Sequence, residues 1–554
     1  MRGVARVIGA FAGAILAAAS CATVPPAPAP SPAPAVAIAR TRPERTNFLE
    51  TSHYTDVVSF LDSLRAVNAP LAFGSIGRSN EGREIPYVIA SRPLVSTPAE
   101  AKRLRRPIVY VQGNIHAGEV EGKDALLALV RDLVFSPKPN VLDSIVLIVV
   151  PIYNADGNER FAPQSVNRTE QNGPELVGQR ANAQGLDLNR DYVKAEAPET
   201  RGSLAMFNTW DPDVFVDLHT TDGSFHGYNL TYAPSLNPAA QFGGLYARDS
   251  LLPVIRSRMR TRHGSETFDY GDFISDDTLS KGWVTFDPRP RYGTNYYGIR
   301  GRIGILSEAF SHDPLQIRIA STYWFTSEVL SLVAERAGSI MALSARADQQ
   351  SRAWGRSPSS VQMVPIRSEL TSNPPVEDVV AEIVERTGDS TRIEPGVPLG
   401  RRRTGKLVTV RVPVFDRFTP TLERTPPSAY AIPASDTQAV KVLRLHGIVV
   451  TKLDRDSRQL TESFVVDSIG VAPRPFQGHH ETTLKGKWTR QPGTIPAGSF
   501  IVRTDQPLGV LIVYLLEPES DDGLVTWNFF DSEIVRSKAF PVLRLPDVDR
   551  EFSY

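Results

Sequence analysis

The segment PIVYVQGNIHAGE at residues 107–119 decides the fold. It begins with an apolar, β-branched run, which is typical of a strand that is buried on both faces of a parallel sheet. The run ends in a polar turn, and the residues from 119 to 134 that follow place apolar side chains at helical spacing. A buried strand followed by a helix predicts an α/β domain, in which ligands bind beyond the carboxyl ends of the strands.

Three further runs have the same buried-strand character, and helical patterns precede, separate and follow the four runs. The runs are residues 144–150 (SIVLIVV), 214–218 (VFVDL) and 303–306 (IGIL), and the helical patterns cover residues 54–67, 119–134 and 322–345. This order predicts a mixed, mostly parallel sheet covered by helices on both faces, and we assign residues 46–350 to it as one domain.

Beyond residue 360 the apolar runs are short and interrupted by proline, and helical periodicity is weak. Examples are LVTVRVPVF at 407–415, VLRLHGIVVTKL at 442–453 and GVLIVYLL at 509–516. We interpret these runs as strands. Residues 360–554 are therefore predicted to form a separate, all-β C-terminal domain, with a sandwich as the expected architecture.

The N-terminus of the 554-residue chain has the pattern of an exported protein. Residues 1–20 combine two arginines, an apolar run and small residues, and the run is shorter than the roughly 20 residues of a membrane-spanning helix. They are predicted to be a signal peptide. Residues 21–45 form a linker rich in proline and alanine, which should be an extended spacer.

Cys21 is the single cysteine of the chain, which excludes an internal disulfide and a multi-thiolate metal site. Its place directly after the apolar run resembles a bacterial lipobox, so lipidation of Cys21 is predicted, and the alternative is a plain secreted protein. Lipidation would anchor the protein to a bacterial membrane, in the periplasm or cell envelope. Lysine plus arginine equals aspartate plus glutamate at 61 each, which argues against a nucleic-acid partner.

Polar residues with metal-binding chemistry follow the buried strands. His116 and Glu119 come after the first strand, with Glu119 expected in the first turn of the next helix, and His219 comes after VFVDL. Because strand ends meet at one edge of a parallel sheet, these three side chains can converge. Two histidines and one carboxylate are the ligand set of a catalytic zinc site with an open fourth position.

Two more segments offer residues for catalysis and substrate binding. Glu308 leaves the fourth strand at the same edge and could accept a proton from an attacking water. Arg190 has a planar fork that suits a carboxylate, with Asn189 beside it. An ion pair of Arg190 with Asp187 or Asp191 is the alternative role.

Five motifs in order resemble the zinc carboxypeptidase family (carboxypeptidase A-like, peptidase M14). They are HAGE at 116–119, NADG at 154–157, GLDLNRDY at 185–192, DLHT at 217–220 and LSE at 306–308. The resemblance covers residues 46–345, and the C-terminal region resembles a bacterial subgroup with a β-rich extension.

The resemblance implies a role for each matched residue. It implies one zinc ion held by His116, Glu119 and His219, with Glu308 as the catalytic residue that activates water. Asn189 and Arg190 would hold the terminal carboxylate of a peptide substrate.

Two further roles in the family have several candidate residues in this sequence. An arginine polarises the scissile carbonyl, and Arg168 is predicted for this role on its distance from NADG, with Arg160 and Arg180 as competitors. A tyrosine lines the substrate site, and Tyr296 is predicted over Tyr292 and Tyr297.

The sequence therefore predicts a zinc metallocarboxypeptidase that hydrolyses C-terminal residues of peptides. Two alternatives stay open. One is a carboxypeptidase or amidase that acts on peptidoglycan stem peptides with the same site. The other is a non-catalytic binding lipoprotein of the envelope, which the complete set of ligands and Glu308 disfavours.

Overall fold

The computed structural model describes residues 39–275, 277–359, 361–389, 397 and 399–547. The predicted signal peptide, Cys21 and most of the predicted linker lie outside these residues. Within the last part of that linker, a short helix at Arg42–Arg45 is capped by the Thr41 side chain. Folded structure therefore begins before residue 46. Among the described helices, none combines the length and the hydropathy that a membrane span requires.

The first part of the chain alternates strands and helices. Its strands are β1 Leu71–Arg78, β2 Glu84–Ala90, β3 Ile108–Gly113, β4 Val146–Val150, β5 Ala162–Pro163, β6 Leu176–Val177, β7 Val214–Thr220, β8 Leu230–Pro234, β9 Thr267–Asp269, β10 Asp272–Phe273, β11 Trp283–Val284 and β12 Ile303–Ala309. Its helices are α1 Arg42–Arg45, α2 Tyr54–Ala66, α3 Pro98–Leu104, α4 Glu121–Phe135, α5 Ala155–Glu159, α6 Gln164–Asn167, α7 Pro198–Trp210, α8 Gly243–Tyr246, α9 Leu252–His263, α10 Gly293–Ile299, α11 Leu315–Glu335 and α12 Ala337–Arg356.

The second part is rich in strands. These are β13 Val364–Leu370, β14 Val376–Arg386, β15 Arg401–Phe415, β16 Phe418–Arg424, β17 Ala429–Ile432, β18 Thr451–Lys452, β19 Ser457–Val471, β20 Thr482–Ile495, β21 Phe500–Arg503 and β22 Leu543–Leu545. The helices in this part are α13 Thr437–Leu445 and α14 Gly509–Leu516.

The central sheet confirms the predicted mixed, mostly parallel architecture. Its strand order over the described residues is β1-β2-β4-β3-β7-β12-β8-β9. The four inner strands β4, β3, β7 and β12 are parallel to one another. The pairs β1–β2, β2–β4 and β12–β8 are antiparallel, and β8–β9 is parallel. The carboxyl ends of β3, β7 and β12 therefore lie side by side at one edge of the sheet.

Helices cover both faces of this sheet, as predicted. Because successive side chains of a strand point to opposite faces, Tyr110 of β3 packs into one hydrophobic core while Val109 and Val111 pack into the other. The Val109 face meets α2, α4, α9 and α11. The Tyr110 face meets α7, α10 and the C-terminal part of the chain.

The C-terminal region is strand-rich, as predicted, but it is not purely β. The apolar run at 509–516 is the buried helix α14, and residues 442–445 belong to α13, so the prediction of strands there is wrong. A short apolar run does not distinguish a buried strand from a buried helix, because its side chains carry no periodic signal. The strands form sheets in the orders β18-β21-β17-β22-β19-β20, β10-β11-β15-β14 and β13-β16.

The two parts of the chain share one hydrophobic core. Phe207 and Tyr297 from the sheet domain belong to the same cluster as Leu511 and Tyr514 of α14, and the chain from Ala39 onward forms one compact unit. The proposed boundary at residues 350–360 therefore divides the chain by types of element. As a boundary between separate domains it stays a prediction.

Several predicted boundaries shift in the structure. Helix α4 begins at Glu121, so Glu119 lies in the preceding turn instead of the helix. The strand β7 continues to Thr220 and β12 to Ala309, so His219 and Glu308 lie within strands. The single helix predicted at 322–345 is two helices that meet at Arg336.

Candidate active site

The turn after β3 carries the first two predicted metal ligands. Asn114 adopts a left-handed backbone conformation (φ 65°), which asparagine tolerates better than most residues. Its side-chain amide donates to the carbonyl oxygens of Ala117 at 3.1 Å and Glu119 at 3.3 Å. The Glu119 N–H donates to the carbonyl oxygen of His116 at 3.0 Å. These bonds hold His116 and Glu119 against each other in a buried turn.

The adjacent strands β7 and β12 supply the next two predicted residues. The parallel register places His219 directly opposite Glu308. Both side chains are buried, with His219 3% and Glu308 8% exposed. Two residues that are 89 positions apart in sequence therefore become neighbours because their strands pair.

The three predicted metal ligands converge in the structure. The potential ligand atoms of His116, Glu119 and His219 all lie within 4.8 Å of one another. His116 Nδ1 lies 2.9 Å from Glu119 Oε1, and His219 Nδ1 lies 2.9 Å from Glu119 Oε2. Two imidazoles and a carboxylate, all buried, are the donor set of catalytic zinc sites with three protein ligands. The residues present therefore fit a zinc ion.

Each histidine uses its other ring nitrogen to contact an aspartate. His116 Nε2 lies 3.0 Å from Asp187 Oδ1, and His219 Nε2 lies 3.1 Å from Asp217 Oδ2. Such carboxylates fix the tautomer and orientation of a metal-binding histidine. The sequence reasoning missed both roles, although Asp217 precedes His219 by two residues on one strand and must share its face.

The surroundings of the buried site raise the pKa of Glu308. Burial raises the pKa of the Glu308 carboxyl well above its ordinary value, and the carboxylates of Glu119 and Asp222 raise it further. Burial alone would lower the pKa of His219, but the Asp217 and Glu119 carboxylates raise it well above its ordinary value. A carboxyl group with a raised pKa at such a site is suited to accept and return a proton.

A cavity of roughly 270 Å³ lies in front of these residues, and Asn189 and Arg190 also border it. The Arg190 guanidinium stacks on the ring of Tyr292, with 3.9 Å between its central carbon and the ring centroid. Arg190 Nη1 donates to the backbone oxygen of Asn189 at 2.9 Å, and Asn189 Oδ1 accepts from the Gly293 N–H at 2.9 Å. The two predicted carboxylate-binding residues are thus held in place at the cavity wall.

Arg168, predicted to polarise the scissile carbonyl, does not line this cavity. Its buried guanidinium donates to Glu119 Oε1 at 3.2 Å and to the carbonyl oxygen of Thr221 at 3.0 Å. The competitor Arg180 does line the cavity. Its Nε donates to Asp187 Oδ2 at 3.0 Å and its Nη1 to Glu119 Oε1 at 3.3 Å. The geometry therefore favours Arg180, and the assignment of Arg168 is corrected.

Tyr296, predicted to contact the substrate, lies in the hydrophobic core. Its hydroxyl donates to His446 Nδ1 at 2.7 Å and accepts from Arg300 Nη1 at 3.0 Å, and its side chain is fully buried. Tyr297 is buried as well. Tyr292 lines the cavity. The tyrosine of this segment that can reach a substrate is therefore Tyr292 and not Tyr296.

Comparison with known proteins finds carboxypeptidases among the relatives of this chain. The family model "Zinc carboxypeptidase" (Peptidase_M14) matches residues 57–241. "Carboxypeptidase 2" of Trichophyton rubrum is 24% identical over 504 residues, which cover 88% of this chain and 85% of that protein. "Carboxypeptidase Z" of Homo sapiens is 33% identical over 141 residues, 23% of this chain and 20% of that protein.

The family match and the relatives indicate a metallocarboxypeptidase. Residues 57–241 are the segment that is similar to the zinc carboxypeptidase domain of the peptidase M14 family. Among solved structures, a metallo-carboxypeptidase from Burkholderia cenocepacia is similar with a TM-score of 0.38 and 16% identity, over 52% of this chain and 70% of that one.

Proposed function

We propose that this protein is a zinc-dependent carboxypeptidase that removes C-terminal residues from peptides with an activated water. The observation that carries the proposal is one cavity bordered by the His116–Glu119–His219 set, Glu308 and Arg190. The set offers ligands for one ion, Glu308 offers proton transfer, and Arg190 offers a fixed positive charge for a terminal carboxylate.

The metal site is the first element of the proposal. His116 Nδ1, His219 Nδ1 and the Glu119 carboxylate would hold the zinc ion, since their other contacts, to Asp187 and Asp217, leave these atoms facing one another. When bound, zinc supplies Lewis acidity, which makes a water more acidic and a carbonyl carbon more electrophilic.

Substrate register is the second element. The Arg190 fork can form two parallel hydrogen bonds with a carboxylate, and its stacking on Tyr292 orders the guanidinium before a substrate arrives. The Asn189 side-chain oxygen is engaged by Gly293 N–H, so its NH₂ group is the end that can donate to a ligand. These residues place the terminal peptide bond in front of Glu308.

Proton transfer is the third element. The Glu308 carboxylate accepts a proton from the attacking water and then donates it to the nitrogen of the leaving amine. The Arg180 guanidinium at the cavity donates hydrogen bonds to the carbonyl oxygen as negative charge develops there. The buried surroundings strengthen both interactions because the local dielectric constant is lower there than in bulk water.

The experiment combines a chelator with a Glu308→Gln variant. The wild-type protein should release C-terminal residues from peptides, lose this activity on dialysis against a chelator, and regain it with zinc. Glu308→Gln should retain zinc, measured by metal analysis, and lose most of the activity, about 10²-fold or more. Wild-type turnover by Glu308→Gln would refute the assigned proton transfer, and activity that is indifferent to chelators would refute the metal dependence.

The two alternatives from the sequence gain no support from the site or from the relatives. The relatives are carboxypeptidases, so a peptide substrate is proposed. Export through residues 1–20 and lipidation of Cys21 concern residues outside the described structure and stay predictions.

A further inference from the structure

The hairpin formed by β19 and β20 reaches from the C-terminal region to the active site. The two strands pair from Ser457–Ile495 to Val471–Thr482, and residues 472–481 between them are called the hairpin tip. The tip contacts the loop of residues 187–196, which carries the proposed carboxylate-binding residues. One contact joins residues that are 290 positions apart in sequence.

Two side chains of the hairpin tip make direct bonds to this loop. Gln477 Oε1 accepts a hydrogen bond from the Asp187 N–H at 2.8 Å. His479 Nε2 lies 2.9 Å from Glu196 Oε1. A third contact, between Glu481 and Arg291 at 2.6 Å, ties the tip to the segment next to Tyr292.

Gln477 adopts a left-handed backbone conformation, which is unfavourable for glutamine. Its φ is 50° and that of Gly478 is 82°, and the flanking Phe476 and His479 exchange backbone hydrogen bonds of 2.8 and 3.0 Å. A two-residue turn with both φ angles positive normally carries asparagine or glycine, because a left-handed conformation costs other residues roughly 1–2 kcal/mol. Retaining glutamine at such a position points to a use for its long side chain.

Gln477 contacts Asp187, whose carboxylate in turn contacts His116 and Arg180. Asp187 Oδ1 lies 3.0 Å from His116 Nε2 and accepts the Asn189 N–H at 2.9 Å, while Asp187 Oδ2 accepts Arg180 Nε at 3.0 Å. An acceptor on the Asp187 N–H fixes the backbone from which this carboxylate projects. A shift of that backbone would move His116 and Arg180 together.

We propose that Gln477 is a positioning residue of the active site, which acts through Asp187 on His116 and Arg180. The inference rests on the proposed function and extends it, because it makes the C-terminal hairpin a part of the catalytic apparatus. Gln477 does not need to touch the substrate or the metal for this role.

The decisive variant is Gln477→Asn. Asparagine tolerates the left-handed conformation better than glutamine, so the turn should be as stable as in the wild type or more so. Its side chain is one methylene shorter and loses the bond to the Asp187 N–H. Gln477→Glu keeps an acceptor oxygen at the original reach and should rescue the contact.

His480→Ala is the matched control on the hairpin tip. His480 is exposed, and its Nδ1 bonds to the Ala472 carbonyl oxygen within the tip at 2.8 Å. The substitution therefore changes the tip without removing a bond to the 187–196 loop.

The measurements are zinc affinity, hydrogen exchange of residues 185–192 and the melting temperature of the full chain. Zinc affinity is measured by competition with a fluorescent chelator, with Zn²⁺ alone as the probe. Gln477→Asn should bind zinc about tenfold more weakly, the low end for an outer partner of a metal ligand, and lose exchange protection at Asp187. Its melting temperature should not fall. His480→Ala and Gln477→Glu should match the wild type in exchange and affinity.

Two results would overturn the proposal. One is wild-type zinc affinity and wild-type exchange in Gln477→Asn. The other is an equal loss in His480→Ala, which would assign the effect to the fold of the tip. Hydrogen exchange requires neither substrate nor metal, so it tests the role of Gln477 independently of the proposed function. A wild-type protein without peptidase activity would refute the proposed function, and the exchange data would still decide the role of Gln477.

Discussion

Recognition of a free terminal carboxylate by Arg190 can be tested with a substitution and a substrate change combined. The variant is Arg190→Ala, and the two substrates are one peptide with a free C-terminal carboxylate and the same peptide with a C-terminal amide. The stacking of Arg190 on Tyr292 and its bond to the Asn189 carbonyl fix the guanidinium at the cavity wall. The Arg190→Ala substitution therefore removes a guanidinium group that is already fixed in position before a substrate binds.

The expected magnitude follows from the bonds that this fork can make. A hydrogen bond to a charged group contributes about 1.5–3 kcal/mol, so two such bonds contribute about 3–6 kcal/mol. Since about 1.4 kcal/mol corresponds to a tenfold change, the wild-type protein should prefer the free acid over the amide by about 10²- to 10⁴-fold in kcat/KM. In Arg190→Ala the ratio of kcat/KM for the free acid to kcat/KM for the amide should fall to about one.

The assay measures product release by mass spectrometry, under conditions that give kcat/KM. It is applied to the wild type and to Arg190→Ala, each with the acid and with the amide peptide. Arg160→Ala is the control, because the Arg160 side chain is 42% exposed and pairs with Glu81 instead of lining the cavity. It should retain the wild-type preference. An Arg190→Ala variant that still discriminates as the wild type does would refute the assignment of Arg190, whatever its absolute rate.

Two further predictions concern Arg180 and His446. Arg180→Ala should lower kcat about 10²- to 10³-fold with little change in urea unfolding. Arg168→Ala should instead lower the free energy of unfolding by about 3 kcal/mol, because it removes a buried guanidinium that pairs with Glu119 and donates to the Thr221 carbonyl oxygen; the opposite pattern would restore Arg168 to catalysis. Burial lowers the pKa of His446 from 6.5 to about 3, so the unfolded chain binds a proton that the folded chain does not, and stability is lost as the pH falls from about 6.5 towards 3. In His446→Gln the loss of unfolding free energy between pH 7 and pH 5 should be about 2 kcal/mol smaller than in the wild type, and an unchanged loss would contradict this origin.

The central sheet was predictable because its inner strands are continuous apolar runs. PIVYVQ at 107–112 matches β3 within one residue at each end, since a strand that is buried on both faces is rich in apolar side chains. The same logic failed for residues 509–516. An apolar segment of eight residues fits a buried helix as well as a buried strand, and its contacts with the rest of the core select the helix.

The candidate site was predictable where residues with metal-binding side chains lie at the ends of predicted strands. His116, Glu119 and His219 follow or end strands and have the residue types that bind zinc, so their convergence could be inferred. The choice between Arg168 and Arg180 could not be inferred from spacing. Both have the same guanidinium chemistry, and only the fold shows which one reaches the cavity and which one is buried.

The sequence by itself determined the α/β sheet and the set of groups that can meet at its carboxyl edge. These depend on local patterns, namely apolar runs and the polar residues that follow them. The tertiary structure decided which side chains reach the cavity and showed that the C-terminal hairpin places Gln477 on Asp187. No local pattern specifies a contact across 290 residues, because such a contact depends on how distant strands and turns pack against each other.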